Sequence, residues 1–384
     1  MTEFTLWLMV GLVVYGYAGY PLVLAAVAKL RTRRIAPRAI EPTVTVVIAA
    51  FNEEKDIAHK LETVLALDYP QDKLQVVVAS DCSEDRTHEI VQGFASRGVE
   101  LAILAERAGK TAAQNLAVSK ARGEILLFTD ATTELEKDVV HKLVAAFADH
   151  RVGCAGAQLE YQSKGGTAVG KGGGLYWRYE KLVKELESRA NSLIGVSGCL
   201  YAVRRDLYKP IDPDLISDFV IALDVYASGH VTTYVPEAVA RELTHEDAER
   251  EFAMRRRVVV RSINALVRRA SVLNPFRSGL FAVQLWSHKV LRYLVPQLLI
   301  GVLIASFWLA VTAGPRASYY AVLLALQVTL YGIVPSIYVL FRRLQIRTGL
   351  LSAPFYFVHA NAAAFSGFLS YLAGGRAVTW RTVR

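Results

Sequence analysis

Two aspartates stand where short apolar runs end: Asp81 follows VVVAS and Asp130 follows EILLFT. A third run, VTVVIAA, leads through Phe51 into Asn52 and Glu53. If the three runs are strands of a parallel sheet, all these groups stand at its carboxyl edge, where the ligands of such sheets bind. One aspartate after a strand is usually an Asx turn or a helix cap. Two of them, with Asn52 and Glu53 on a third strand, point instead to a site for a polar ligand.

Several chemistries are disfavoured at once. The loop after the first run reads AAFNEE and lacks the G-x-G-x-x-G of dinucleotide folds, which argues against nicotinamide and flavin enzymes. Gly165, Gly170 and Lys171 nearly make a phosphate-binding loop, but Gly172 occupies the position where Ser or Thr must hold magnesium. That segment reads as a mobile loop before a helix over residues 174–191. Cys82, Cys154 and Cys199 form no CxxC pair, and three cannot make a disulfide framework. A reducing cytosolic setting follows.

The elements that must position the acids occupy the middle of the chain. From residue 42 to about 239, short β-branched runs at 44–50, 75–80, 100–104 and 124–129 alternate with amphipathic stretches, among them Ile57, Leu61, Val64 and Leu65. This is the pattern of a mostly parallel sheet covered by helices, an α/β fold.

The flanks read as membrane. The chain of 384 residues is 53% hydrophobic, with mean hydropathy +0.28. Residues 4–28 form an apolar run long enough to cross a bilayer of ~30 Å. Lys29, Arg31, Arg33, Arg34 and Arg38 follow it, and the start, MTEFT, has no basic residue. It reads as an uncleaved anchor with the next domain cytosolic, not as a signal peptide. Every Asp and Glu lies at or before Glu251, whereas 16 Lys and Arg lie beyond it. These fall among apolar runs, so anionic lipid headgroups are the expected partner of the basic charge and nucleic acid is not. Residues 252–285 read as an arginine-rich interfacial stretch along the membrane surface. Three further apolar runs follow near 294–311, 319–341 and 351–372, with Arg342, Arg343 and Arg347 placing the last loop in the cytosol. His359 and Asn361, inside the final run, mark either a re-entrant segment or a bond to a neighbouring helix. The expected domains are therefore an N-terminal transmembrane helix (1–30), a cytosolic α/β domain (42–250), an interfacial region (251–285) and a C-terminal transmembrane region (286–384). The whole is expected to be a multi-pass protein of the cell membrane.

With these motifs in hand, the chain resembles the family 2 glycosyltransferases of the GT-A fold from about residue 42 to 292. The likeness is greatest to the membrane-anchored branch that includes cellulose, hyaluronan and chitin synthases. VTVVIAAFNEE resembles the family's opening strand and nucleotide loop, which implies that Asn52 and Glu53 lie near the donor. VVVASDCSEDRT resembles its second nucleotide loop, with Asp81 as the partner of the base. GKTAAQN is similar to the family's Gly-Lys-x-x-Ala-x-Asn element and implies Lys110 near the diphosphate or the donor sugar. FTDATTE stands where the family carries Asp-x-Asp. Asp130 is the first acid and the implied ligand of Mg2+ or Mn2+, but Thr132 replaces the second. Magnesium takes few protein ligands and fills its shell with water and phosphate oxygens.

LISDFV resembles the segment that ends in the family's catalytic base, which implies Asp218 in that role; the alternative for Asp218 is a helix cap ahead of FVIAL. A carboxylate there takes the acceptor proton as the hydroxyl attacks opposite the leaving diphosphate, and a single displacement inverts configuration. MRRRV stands where processive members carry Gln-x-x-Arg-Trp. It keeps Arg257, implied to reach the diphosphate, but has Met254 and Val258 at the other positions, which puts polymer synthesis in doubt. The resemblance thus implies an inverting transferase that moves a sugar from a nucleotide-diphosphate donor, of uridine type, to a glycan or lipid-linked acceptor hydroxyl in surface polysaccharide synthesis. The alternatives are a donor-binding scaffold or export subunit with weakened catalysis, and a prenyl-phosphate glycosyltransferase.

Overall fold

A computed structural model describes residues 2–31, 35–162, 168–243, 248–344 and 351–376. Arg33, Arg34, Gly165 and Arg347 from the sequence reading lie outside them.

The helix α1 (Thr2–Leu30) precedes an eight-stranded sheet. The strands are β1 (Val44–Ala50), β2 (Leu74–Ser80), β3 (Val99–Ile103), β4 (Ile125–Asp130), β5 (Glu134–Leu135), β6 (Val152–Gln162), β7 (Leu200–Arg204) and β8 (Val231–Leu243). Their order is β3-β2-β1-β4-β7-β6-β8-β5. The first four pair in parallel, β7 runs antiparallel to β4 and β6, and β6 and β8 are parallel. Every residue of β1 is buried, as expected of a central parallel strand covered on both faces. Ile48 and Val78 face one apolar layer with α2 (Ile57–Leu65). Val47 and Phe128 face the other, with α4 (Lys110–Ser119) and α7 (Ser217–Ala227). The chain winds outward from β1 to β3 and then returns to β4 on the other side of β1. The carboxyl ends of β1 and β4 therefore flank a topological switch point, where a crevice opens.

The helices beyond the sheet correct one expectation. The helix α6 spans Ala168–Ala190, so Gly170, Lys171 and Gly172 are helical and not part of a loop. Tertiary contact of its amphipathic length overrides the low helix propensity of glycine. The arginine-rich segment forms α8 (Ala248–Arg268), and several basic side chains of this stretch find acids of the protein, while Arg256 and Arg268 stay exposed. Arg268 pairs with Asp212 and Asp214, Arg269 with Asp224, and Arg255 with Glu251 and the hydroxyl of Tyr356. Asp212, Asp214 and Asp224 come from the folded domain, where the sequence pattern could not place them beside Arg268 and Arg269, whereas Glu251 lies one turn before Arg255 on α8 itself.

Among the described residues three helices are long and apolar enough to cross a membrane: α1, α9 (Leu280–Thr312) and α10 (Gly314–Phe341). The last apolar run forms α11 (Ser352–Leu372), which packs along α8. Asn361 donates to the Phe357 carbonyl of its own helix (2.8 Å), and His359 packs on Phe252 and Phe355. Two buried acids of α6 tie the sheet domain to the apolar helices. Glu187 accepts from the Tyr20 hydroxyl and meets His288 Nδ1, both at 2.6 Å, and Glu180 pairs with Arg292.

Gly123, just ahead of β4, donates its N–H to Thr45 Oγ1 (2.9 Å), and a Cβ there would lie 2.5 Å from the Thr45 nitrogen. That nitrogen and the Val44 carbonyl carbon, 2.6 Å from the same point, are backbone of the central strand and cannot yield. Gly123→Ala is expected to destabilise the protein by about 3 kcal/mol, read as a fall in the unfolding temperature of the full chain in detergent. A variant as stable as wild type would contradict this packing.

Candidate active site

The loop after β1 is held to the loop after β2. Asn52 adopts φ +55°. Its N–H donates to Ser83 Oγ (3.1 Å), and its side-chain oxygen accepts from the Glu84 N–H (2.8 Å). The Glu53 N–H donates to Thr87 Oγ1 (2.8 Å). Asn52 tolerates the left-handed backbone better than most residues, so the tie between the loops can be this short. Asp81, fully buried at the end of β2, accepts the N–H groups of Ala108 and Gly109, both at 2.8 Å, on one carboxylate oxygen. The other lies 3.8 Å from Arg107 Nε. Gly109 takes φ +95°, a conformation that favours glycine, and the next residue is Lys110, the first of α4.

Lys110 joins the two sides of the crevice. Its ammonium pairs with Asp130 at the end of β4 and donates to the Gly198 carbonyl (3.3 Å). Burial disfavours its charge, but Asp130, Asp218 and Glu242 outweigh that, so its pKa is raised. Gly198 lies against Asp218 so closely that a Cβ there would be 2.7 Å from the carboxylate. Lys110, Asp218 and Arg257 line one cavity of about 130 Å³, together with Thr111, Ser217 and Arg261. Burial pushes the Asp218 carboxyl above its usual range, and the charges of Lys110, Lys289 and Arg261 hold it back only in part. Burial also lowers the pKa of the Arg257 guanidinium.

Of the sequence-derived set, Lys110, Asp130, Asp218 and Arg257 thus come together directly. Asp81 reaches them through Gly109, and Asn52 and Glu53 through the Ser83 loop. Three residues were not read from the sequence. Arg261 donates to Thr111 Oγ1 (2.9 Å) and to the carbonyls of Pro213 and Leu215, fixing the approach to Asp218. Its spacing of four from Arg257 on one helix was the available signal. Glu242 enters through β8, accepts from Thr133 Oγ1 (2.8 Å), and is held above the usual carboxylate range by burial and by Asp130. Only strand pairing brings it there. Buried Lys60 donates to Thr129 Oγ1 (2.9 Å) and to the Thr133 carbonyl (2.6 Å), bracketing Asp130.

The donor set fits a hard divalent cation of few protein ligands. Asp130 offers a half-exposed carboxylate, Glu242 adds negative field, and Thr132 is exposed at the same turn. Among the described residues no group of three His, Cys, Asp or Glu could enclose a metal. Mg2+ or Mn2+ would therefore take most of its shell from water and phosphate.

Comparison with known proteins bears on the fold and the family likeness. Residues 45–211 match the model of Glycosyl transferase family 2. A probable glycosyltransferase, YdaM of Bacillus subtilis, is 25% identical over 216 residues, covering 52% of this chain and 50% of the relative. An N-acetylglucosaminyltransferase of Rhizobium meliloti is 28% identical over 215 residues, with the same coverages. The chain spans about half the length of these curated relatives. Among solved structures, the mannosyltransferase PcManGT of Pyrobaculum calidifontis, in complex with GDP-Man and Mn2+, superposes with a TM-score of 0.71 at 23% identity. The match covers 96% of this chain and 99% of that one. The fold is GT-A.

Lys60 makes the Asp130 turn sensitive to pH. Burial lowers its pKa to about 7, against the pull of Asp130. An unfolded lysine titrates near 10.4 (roughly the peptide value), so the folded state binds this proton less tightly. The cost of burying the ammonium is fully present below pH ~7 and vanishes as pH rises toward ~10. Relative to Lys60→Met, the wild-type protein should therefore gain stability across that window. Unfolding temperatures of both proteins at a series of pH values check this, and a difference that stays flat would refute it.

Proposed function

We propose, from the premise that residues 45–211 form a Glycosyl transferase family 2 domain, that this chain is an inverting glycosyltransferase acting at a membrane. Its donor is a nucleotide-diphosphate sugar, and its acceptor is the hydroxyl of a glycan or lipid-linked sugar. Asn52, Glu53 and Asp81 order the loops that receive the nucleotide, while Lys110 and Arg257 face the diphosphate. A divalent cation at Asp130, when bound, neutralises charge on the leaving group. The basic residues after α1 support a cytosolic position for the domain, and a surface polysaccharide is the product class that fits such a position.

The observation that carries this reading is the shared cavity. Lys110, in contact with Asp130, and Asp218 line the same space of about 130 Å³. A partly desolvated carboxylate of raised pKa is a stronger base than an exposed one. In the step proposed, the acceptor oxygen forms its bond to the anomeric carbon as the bond to the diphosphate oxygen breaks, and the proton passes to Asp218. Negative charge grows on the leaving diphosphate, where Lys110 and Arg257 stabilise it through preorganised contacts. Configuration inverts because attack and departure take opposite faces. The sugar expected is N-acetylglucosamine or a related hexose, in keeping with the named relatives. Met254 and Val258, in place of a glutamine and a tryptophan, favour single transfer over polymerisation.

Asp218→Asn should lower kcat by about 100-fold or more while leaving the KM for the sugar nucleotide nearly unchanged. It should also abolish the acidic limb of the pH profile, which in wild type lies above the ordinary carboxylate range. Initial rates of the full chain in detergent with a panel of sugar nucleotides and Mg2+ or Mn2+ measure both. Unchanged transfer by the variant would remove Asp218 as the base, and no turnover of any donor would leave the scaffold alternative standing.

A further inference from the structure

Lys110 and Asp218 meet the same short turn. The Gly198 carbonyl accepts from Lys110 (3.3 Å), and the Gly198 α-carbon rests against the Asp218 carboxylate, where a Cβ would lie 2.7 Å away. The turn also holds the main chain of Asp218, because the Val196 N–H donates to the Asp218 carbonyl (3.2 Å). One Asp218 oxygen has no hydrogen-bond partner among the described residues, so the direction of the carboxylate depends on the backbone packed beside it. Residues 195–199 belong to no helix or strand. Tertiary contacts must therefore fix them.

One such contact comes from outside the crevice. Lys184, half-buried on α6, donates to Ser197 Oγ (2.8 Å). Glu180, Lys184 and Glu187 follow at intervals of four and three residues and share a face of the helix. On that face Glu180 pairs with Arg292, while Glu187 accepts from Tyr20 and meets His288. On the adjoining face Val183, Leu186 and Ala190 pack on Tyr20, Leu24 and Ala28 of α1. The helix is thereby held to α1 and α9 whether or not residue 184 carries an ammonium, so loss of Lys184 frees the turn and not the helix. We infer that Lys184 is a positioning residue: through Ser197 it seats the Gly198 turn against Asp218 and sets where the base points, and it ties that seating to the docking of α6 on α1. What the turn serves rests on the glycosyltransferase reading. A general base works only within hydrogen-bond reach of the proton it takes, and a shift of about 1 Å can cost roughly a hundredfold in rate. Lys110 is less sensitive to such a shift, because Asp130 holds it from the other side. The donor side of the crevice therefore stays in place when the tether is cut.

The test compares Lys184→Met, Ser197→Ala and the two together with wild type, as full chains in detergent. Each single variant should lower kcat roughly ten- to a hundredfold with the KM for the sugar nucleotide nearly unchanged. The double variant should lose no more than either alone, since both substitutions cut one bond. Ser197→Thr, which keeps the hydroxyl, should retain most of the rate, and Lys181→Met, which removes an exposed charge from the same helix, should behave as wild type. Losses that multiply in the double variant would give the two side chains separate roles and overturn the proposal, as would a Lys181→Met protein that is equally slow. A second readout needs no donor. Hydrogen–deuterium exchange of residues 195–200 should quicken about tenfold in Lys184→Met, with peptides of β1 and β4 unchanged. Unchanged exchange in the turn would also overturn the proposal, and so would exchange raised equally in β1 and β4, which marks a general loss of structure. If the wild-type protein transfers no sugar from any donor, the glycosyltransferase reading fails, while the exchange comparison still decides whether Lys184 seats the turn.

Discussion

One buried ammonium holds the crevice together. Burial disfavours the charge of Lys110, yet its pKa is raised because Asp130 touches it and Asp218 and Glu242 lie close. Its placement is set one step back. Asp81 gathers the N–H groups of Ala108 and Gly109 on one oxygen, and Gly109 turns through a positive φ that aims the next side chain at Asp130. From Lys110 the constraint continues through the Gly198 carbonyl to the glycine face on which Asp218 rests. Contacts thus run from the end of β2 to the proposed base, polar as far as the Gly198 carbonyl and then by close packing of Gly198 against the Asp218 carboxylate.

A second set of ion pairs couples this crevice to the apolar helices. Arg261 secures the carbonyls of Pro213 and Leu215, while Arg268 and Arg269 take up Asp212, Asp214 and Asp224 on either side of Asp218. The α8 helix therefore grips the segment bearing Asp218. On the opposite flank, Glu187 joins Tyr20 of α1 to His288 of α9. Breaking a buried pair leaves an uncompensated charge, a cost of about 3–5 kcal/mol. Sheet domain and apolar helices are consequently expected to move as one body near the site.

Much of this was legible in the sequence because it is local. Strand ends, the loop after β1, the GKTAAQN element and the aspartate in the first turn of α7 are all read from runs of a few residues, and Lys110, Asp130, Asp218 and Arg257 do meet. The misreadings have a common physical source. Arg268 and Arg269 looked lipid-facing because the acids that bind them are distant in sequence, and hydropathy alone cannot distinguish a lipid headgroup from a folded carboxylate. Glu242 and Lys60 were invisible for the same reason, since β8 pairing and α2 packing bring them to the Asp130 turn. Gly170 and Gly172 read as a loop by propensity, a weak prior that the amphipathic continuity of α6 outweighed.

The geometry also bears on direction. An in-line displacement needs nucleophile and leaving group on opposite faces of the reacting carbon, and the two ends of the crevice differ in the way such a step demands. On the sheet side stand Lys110 and Asp130, rigid because β4 is central and Asp81 fixes the turn before α4. On the other side stands Asp218, backed by Arg257 and Arg261 of α8. In the proposed step a donor seated on the sheet side presents its anomeric carbon toward Asp218, and the acceptor hydroxyl meets that carbon on the face opposite the leaving diphosphate, which is the arrangement inversion requires.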